Sequence, residues 1–234
     1  APSSLPEPKE TFYQFAEKMY QSDPALAKNL KGAMSLDRQV DRLFHDQKDQ
    51  KMARQMARKS RRPQGFPVMA ESAGKFLTDP DGPRLATLEL GGWDTHINQG
   101  SVQGQLAGNL GLFAQGLSAL KQSMQPVWDK TVIVAITEFG RTARPNGSKG
   151  TDHGTAGAAF LLGGAVNGGR RVVANWPGLR EQDLYMGRDL MPSVDIRAVM
   201  KGILKDHYGL SNATLNYDIY PDSQTVQAMR GLLT

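Results

Sequence analysis

The chain predicts an α/β protein: an α/β sandwich with a mostly parallel sheet, preceded by a helical segment. Three observations carry this expectation. Residues 131–137 form an unbroken β-branched and apolar run, Thr-Val-Ile-Val-Ala-Ile-Thr, as in a strand covered on both faces. Leu106, Leu110, Phe113, Leu117, Leu120 and Met124 recur at helical spacing and form one apolar stripe. Strand-like and helical runs alternate through the last two thirds, the order that builds βαβ units.

Taken in order, residues 1–67 read as a helical, basic amino-terminal segment. Phe12, Phe15, Ala16 and Met19 share a helical face, as do Leu36, Val40, Leu43 and Phe44. Ser22-Asp23-Pro24 has the composition of a helix start, with proline in the first turn. Met52 and Met56 lie one turn apart, Pro63 closes that stretch, and Gln64-Gly65-Phe66-Pro67 reads as a linker. Residues 68–234 then form the α/β domain. Residues 85–90 are a short strand ending at Gly91-Gly92, and the stripe of residues 106–124 is a helix closed by Pro126. Residues 131–137 are the strongest strand. Residues 158–162 and 171–174 are two further strands between glycine-rich turns. After Pro192 a last helix has Ser193 as N-cap, Ile196, Val199, Met200, Ile203 and Leu204 as its buried stripe, and Gly209 at its end.

The bulk properties narrow the function classes. At 234 residues the chain can bury one sizeable core. No apolar stretch reaches the roughly 20 residues that span a bilayer, and the opening residues have neither the charged start nor the apolar run of a signal peptide. With no cysteine, disulfides and thiolate ligands are excluded, so any metal is held by His, Asp, Glu or hydroxyl groups. The stretch from Lys48 to Arg62, where seven basic residues face a single acid, Asp49, outweighs the whole net charge of +5 and leaves the rest of the chain slightly acidic. Such a stretch can bind nucleic acid. The absence of interleaved aromatic residues favours a solvated helix face instead.

Three polar patches follow apolar runs: Asp94-Thr95-His96, Glu138-Phe139-Gly140-Arg141-Thr142 and Asp152-His153-Gly154. In open α/β sheets, sites form where loops leave the carboxyl ends of strands. Asp94 and His96 alternate, so in an extended segment both side chains point the same way. Glu138 directly follows the strongest strand, where a carboxylate needs a cation or donors to meet it. Asp152 and His153 sit between glycines; both can ligate, or one can orient the other's site from behind. Imidazole and carboxylate donors together suit zinc, manganese or iron(II). Each patch alone also has an ordinary reading, since Asp-x-His caps turns and Glu138 can pair with Arg141. Arg141 and Arg144 match a phosphate, sulfate or carboxylate, and an ion pair with Glu138 is the equal alternative for Arg141. His207 fits the end of a helix, and His45 a surface or packing position.

The runs Gly-Gly-Trp-Asp-Thr-His-Ile-Asn-Gln at 91–99, Thr-Glu-Phe-Gly-Arg-Thr at 137–142 and Gly-Thr-Asp-His-Gly-Thr at 150–155 resemble a bacterial family. So do Leu-Gly-Gly-Ala-Val at 162–166, Asn-Trp-Pro-Gly-Leu at 175–179 and Gly-Arg-Asp-Leu at 187–190. This is domain-of-unknown-function family 1501, grouped with the alkaline phosphatase-like and sulfatase superfamily, and the resemblance runs from about Ala73 to Ser223. It implies a three-layer α/β/α fold of the alkaline phosphatase type and an exported or periplasmic hydrolase of phosphate or sulfate esters, acting on a small-molecule or polysaccharide ester. It implies a divalent metal, zinc or manganese, in a site of up to two ions. Asp94, His96, Glu138 and His153 would be ligands, with Asp152 beside them and Arg141 as a catalytic oxyanion clamp. The superfamily often has Asp-His where this chain has Glu138-Phe139, and a nucleophile-bearing amino-terminal half that has no counterpart here. The chain therefore resembles a carboxyl-terminal half. Its alternative role is a non-catalytic binding or assembly subunit completed by a partner chain.

Overall fold

The computed structural model describes residues 10–43, 65–168 and 172–234. Its α-helices are α1 (Glu10–Met19), α2 (Pro24–Leu43), α3 (Phe66–Thr78), α4 (Gln105–Ser123) and α5 (Ile196–Tyr208). Short 3₁₀ turns occupy Gln125–Lys130 and Glu181–Asp183, and a π-helical turn occupies Thr214–Ile219. The strands are β1 (Ile133–Ala135), β2 (Gly140–Arg141), β3 (His153–Gly154) and β4 (Phe160–Leu162). An α/β protein is what these elements make. The basic stretch 48–62, Phe44, His45 and Arg171 lie outside the described residues.

Two compact units divide the chain: the described residues up to Gly91 with Gly111–Met124, and Gly92–Leu110 with Gln125–Thr234. In the first, α2 starts where the sequence places it. Asp23 Oδ1 accepts from the backbone N–H of Ala25 and Leu26, at 3.0 Å each, satisfying two donors that a helix start leaves open. The face expected to be buried on α1 is different: Ala16 is buried while Phe12, Phe15 and Met19 are exposed. The expected linker at 64–67 is instead the entry to α3. Pro67 sits in the first turn, where its missing N–H costs nothing. Phe66 is buried and occupies the space over Gly116 of α4, which a Cβ there would invade. Ala70, Leu120 and Met124 complete this small core. Residues 85–90 run extended without joining a ladder, and Leu85 is 69% exposed.

In the second unit β1 pairs antiparallel with β4, Ile133 opposite Leu162, and β2 pairs antiparallel with β3, Arg141 opposite His153. The mostly parallel three-layer sheet expected from the sequence is not among the described strands. A parallel neighbour needs a crossover of a dozen or more residues, usually a helix. The chain from 136 to 159 has no helix; it holds the β2–β3 ladder and returns antiparallel. The strong strand is also shorter than 131–137, and residues 172–174 form no strand.

Helix α5 is capped by Asp195 rather than Ser193. Its carboxylate accepts from Arg197 N–H at 2.9 Å and pairs with the Arg197 guanidinium. Gly209 ends the helix in the left-handed conformation (φ 67°) as expected. The buried face is not the apolar stripe alone, for Lys201 and Gly202 lie beside Ile203 at its centre while Ile196 is exposed. Lys201 Nζ donates to Asn216 Oδ1 (2.6 Å) and to the carbonyls of Ser223 (2.6 Å) and Val226 (3.0 Å). All three of its donors are thereby used. The ammonium ties the carboxyl-terminal segment to the helix, and Met229 N–H donates to the Ala198 carbonyl at 2.8 Å in the same contact.

Candidate metal centre

The β2–β3 ladder sets the geometry of the site. Residues directly opposed on antiparallel strands project to the same face, so Arg141 and His153 meet there. Close strand approach depends on glycine: a Cβ at Gly140 would strike the Ala156 carbonyl, and one at Gly154 the Arg141 carbonyl. The segment carrying Asp94 and His96 lies alongside, held by the Ile97–Lys149 bridge and by Thr151 N–H donating to the Thr95 carbonyl at 3.2 Å.

One oxygen gathers the functional groups. Asp94 Oδ1 is 2.6 Å from Arg141 Nη1, 2.9 Å from His153 Nε2 and 2.9 Å from His96 Nε2. Ligand atoms of Asp94, His96 and His153 all lie within 4.8 Å of one another, the single such group among the described residues. This oxygen-plus-two-imidazole set is what zinc, manganese or iron(II) takes, with room for further ligands from solvent. Its side chains are about half exposed.

Behind these donors stands a layer of hydrogen bonds. Asp152 Oδ1 lies 2.8 Å from His96 Nδ1, so Asp152 serves His96 and not its own neighbour His153. Arg141 is fixed from the other side, Nε donating to Thr151 Oγ1 at 2.9 Å and Nη2 to the Thr151 carbonyl. Gln99 Oε1 accepts from the buried Thr95 and Thr151 hydroxyls at 2.7 Å each. Phe139 stacks on His153, ring centroids 4.1 Å apart and planes 14° from parallel, with the Arg141 guanidinium over its ring.

The charges follow from these contacts. The Arg141 guanidinium holds the Asp94 carboxyl below its ordinary value, outweighing the opposing effect of burial, and His153 and His96 add smaller pulls in the same direction. Asn146 and then His96 do the same for Asp152. Both carboxylates are thus ready anions at neutral pH.

Of the residues expected at the site, Asp94, His96, Asp152, His153 and Arg141 come together. Glu138 is exposed, in the turn between β1 and β2, outside the three-donor set. Arg141 pairs with Asp94 rather than Glu138, since its guanidinium is aimed by Thr151. Arg144 lies on the surface, 4.0 Å from Glu181. Thr95, Gln99, Asn146 and Thr151 escaped the sequence reading. Their only signal is position, within the same three runs or at the Asn146-Gly147 turn.

Residues 8–217 match the family described as Protein of unknown function (DUF1501). The chain belongs to this family. No curated protein and no solved structure matches it. The match takes in the helical amino-terminal segment, which the resemblance over residues 73–223 left out. That segment is therefore part of the family's pattern.

Proposed function

We propose that the chain binds a divalent cation, zinc or manganese, at Asp94, His96 and His153, and hydrolyses a phosphate or sulfate ester there. The carrying observation is the meeting of Asp94 Oδ1 with two imidazole Nε2 atoms beside a fixed guanidinium. His96 has a carboxylate oxygen against each ring nitrogen. A neutral imidazole has a single N–H, so at one of the two ring nitrogens a lone pair faces a carboxylate oxygen, the place a cation would take. A bound divalent cation supplies Lewis-acid polarisation of the ester oxygen. Arg141 offers N–H groups and full charge to the other ester oxygens, and its anchoring on Thr151 keeps it aimed as charge develops. Phe139 covers one face of His153 and keeps that ring in place.

Three converging donors support one cation per chain; a binuclear centre draws further ligands from outside this set, with Glu138 the first to test. The alkaline phosphatase-like sandwich and an exported location belong to this proposal through the sequence resemblance. Chelator-stripped protein, reloaded with zinc or manganese, is expected to hold one equivalent and to cleave aryl phosphates or aryl sulfates. No uptake by the wild type, or unchanged uptake in Asp94→Ala and His153→Ala, would end the proposal.

The second reading is a binding or assembly subunit without catalysis. Its support is the exposed apolar chain at Leu85, Phe160, Val172, Val173 and Trp176, surface that a partner can cover. Metal uptake without turnover of either ester class, together with a stable complex in solution, would favour it.

A further inference from the structure

Asn146 is locked by the backbone. Its Oδ1 accepts from the N–H of Ser148 (2.9 Å) and of Gly150 (3.0 Å), which fixes which end of the amide is oxygen. The opposite end, Nδ2, then donates to Asp152 Oδ1 (2.9 Å) and to the His96 carbonyl (3.0 Å). Asp152 Oδ1 therefore acts as an acceptor, and the group 2.8 Å away, His96 Nδ1, is the donor. On the other side of the ring, Asp94 Oδ1 lies 2.9 Å from Nε2 but already accepts from Arg141 Nη1 and faces His153 Nε2 as well, so the single proton of a neutral His96 has its less crowded acceptor on the Nδ1 side.

We propose that Asp152, clamped by Asn146, is a positioning residue that holds His96 as the Nδ1–H tautomer and leaves Nε2 free to ligate. This rests on the metal reading above and adds what that reading does not specify, the ligating atom and the residue that selects it. Asp152 is then not a ligand itself. Its oxygen is turned to the far side of the His96 ring, whereas Nε2 faces Asp94 and His153. Outer partners of this kind orient the ring and raise its basicity, and their loss weakens metal binding by about 10–100-fold.

The test uses the whole chain labelled with ¹⁵N-histidine. Proton–nitrogen correlation spectra taken metal-free at ~pH 8, above the ordinary imidazole range, read the His96 tautomer directly. Zinc affinity is measured in parallel by competition with a chelating dye. In the wild type His96 is expected as Nδ1–H. Asp152→Asn keeps an acceptor oxygen, so it should keep the tautomer with a modest loss of zinc affinity. Asp152→Ala should release the tautomer and lose about 10–100-fold. Asn146→Ala, which leaves the carboxylate in place, should give a smaller loss and a mixed tautomer, and it serves if Asp152→Ala does not fold. A wild-type Nε2–H tautomer overturns the proposal, as does equal loss of zinc in Asp152→Asn and Asp152→Ala, the mark of a direct ligand. Wild-type protein that takes up no zinc yet keeps Nδ1–H at His96 overturns the metal reading and leaves the positioning intact.

Discussion

Arg141 carries two jobs that a substitution can separate. Its Nη1 neutralises Asp94 while Nε and Nη2 are spent on Thr151. Arg141→Ala is expected to retain metal, because the three donors remain, and to lose about 10²-fold in kcat/KM on anionic esters, the scale of removing one fixed oxyanion donor. Metal analysis beside steady-state kinetics checks both halves. Asp189 gives a pH prediction of its own. It is buried, accepts from Thr155 Oγ1 at 2.9 Å, and is held below its ordinary value of 3.8 chiefly by Arg188. A lowered native value means that its contribution to stability is complete above 3.8 and fades as the pH falls through the lowered value. Denaturant midpoints measured across that acid range should therefore fall more steeply in the wild type than in Asp189→Asn.

At the level of elements, the β2–β3 ladder is the component on which the site depends. Gly140→Ala would push β2 off the Ala156 carbonyl and shift Arg141 relative to His153. It is expected to lower metal affinity at least as much as it lowers stability, and titration of both quantities on the same sample decides. Gly116→Ala, which meets Phe66 in the other unit, serves as a control that destabilises without touching affinity. The donors Asp94, His96 and His153 were legible because alternation, glycine flanks and strand ends are local patterns. The ladder was not legible: two residues per strand leave no periodicity to read. Helices α2, α4 and α5 could be read from their apolar spacing, the Asp23 start of α2 and the Gly209 end of α5, although the Ser193 cap of α5 was wrong; α3 was missed. Its Phe66-Pro67 start looks like a linker until the Gly116 cavity that receives Phe66 is known. Lys201 escaped for a related reason, since its burial depends on carbonyls more than 20 residues away.

For the molecule as a whole, the site lies within the unit formed by 92–110 and 125–234. A ligand that binds only the folded state stabilises it by about 2.7 kcal/mol at a hundredfold excess over Kd. For a unit of this size that raises the midpoint by about 5–10 °C. Calorimetry with and without zinc should show the gain in the transition of that unit, and chelator should reverse it. A gain of equal size in Asp94→Ala would locate the stabilising metal elsewhere. The parallel sheet is the expectation that the structure overturns, since the described strands pair antiparallel. A continuous apolar run such as 131–137 says nothing of which direction its neighbour runs, and the cover on both faces that it suggested is absent too, for β1 is half-buried and Ile136 exposed.

Asp94 Oδ1, which touches Arg141, His96 and His153 at once, makes the centre a hub with no redundancy. Most charged clusters lose function by degrees, because their contacts are spread over several acceptors. Here a change at a single atom breaks three links together. Random substitution should therefore find position 94 sharply intolerant, even of Asn and Glu, while exposed Arg144, whose only ion pair is a 4.0 Å approach to Glu181 among the described residues, accepts many replacements. Related chains in which this cluster has been lost would be expected to bear their first mark at this position.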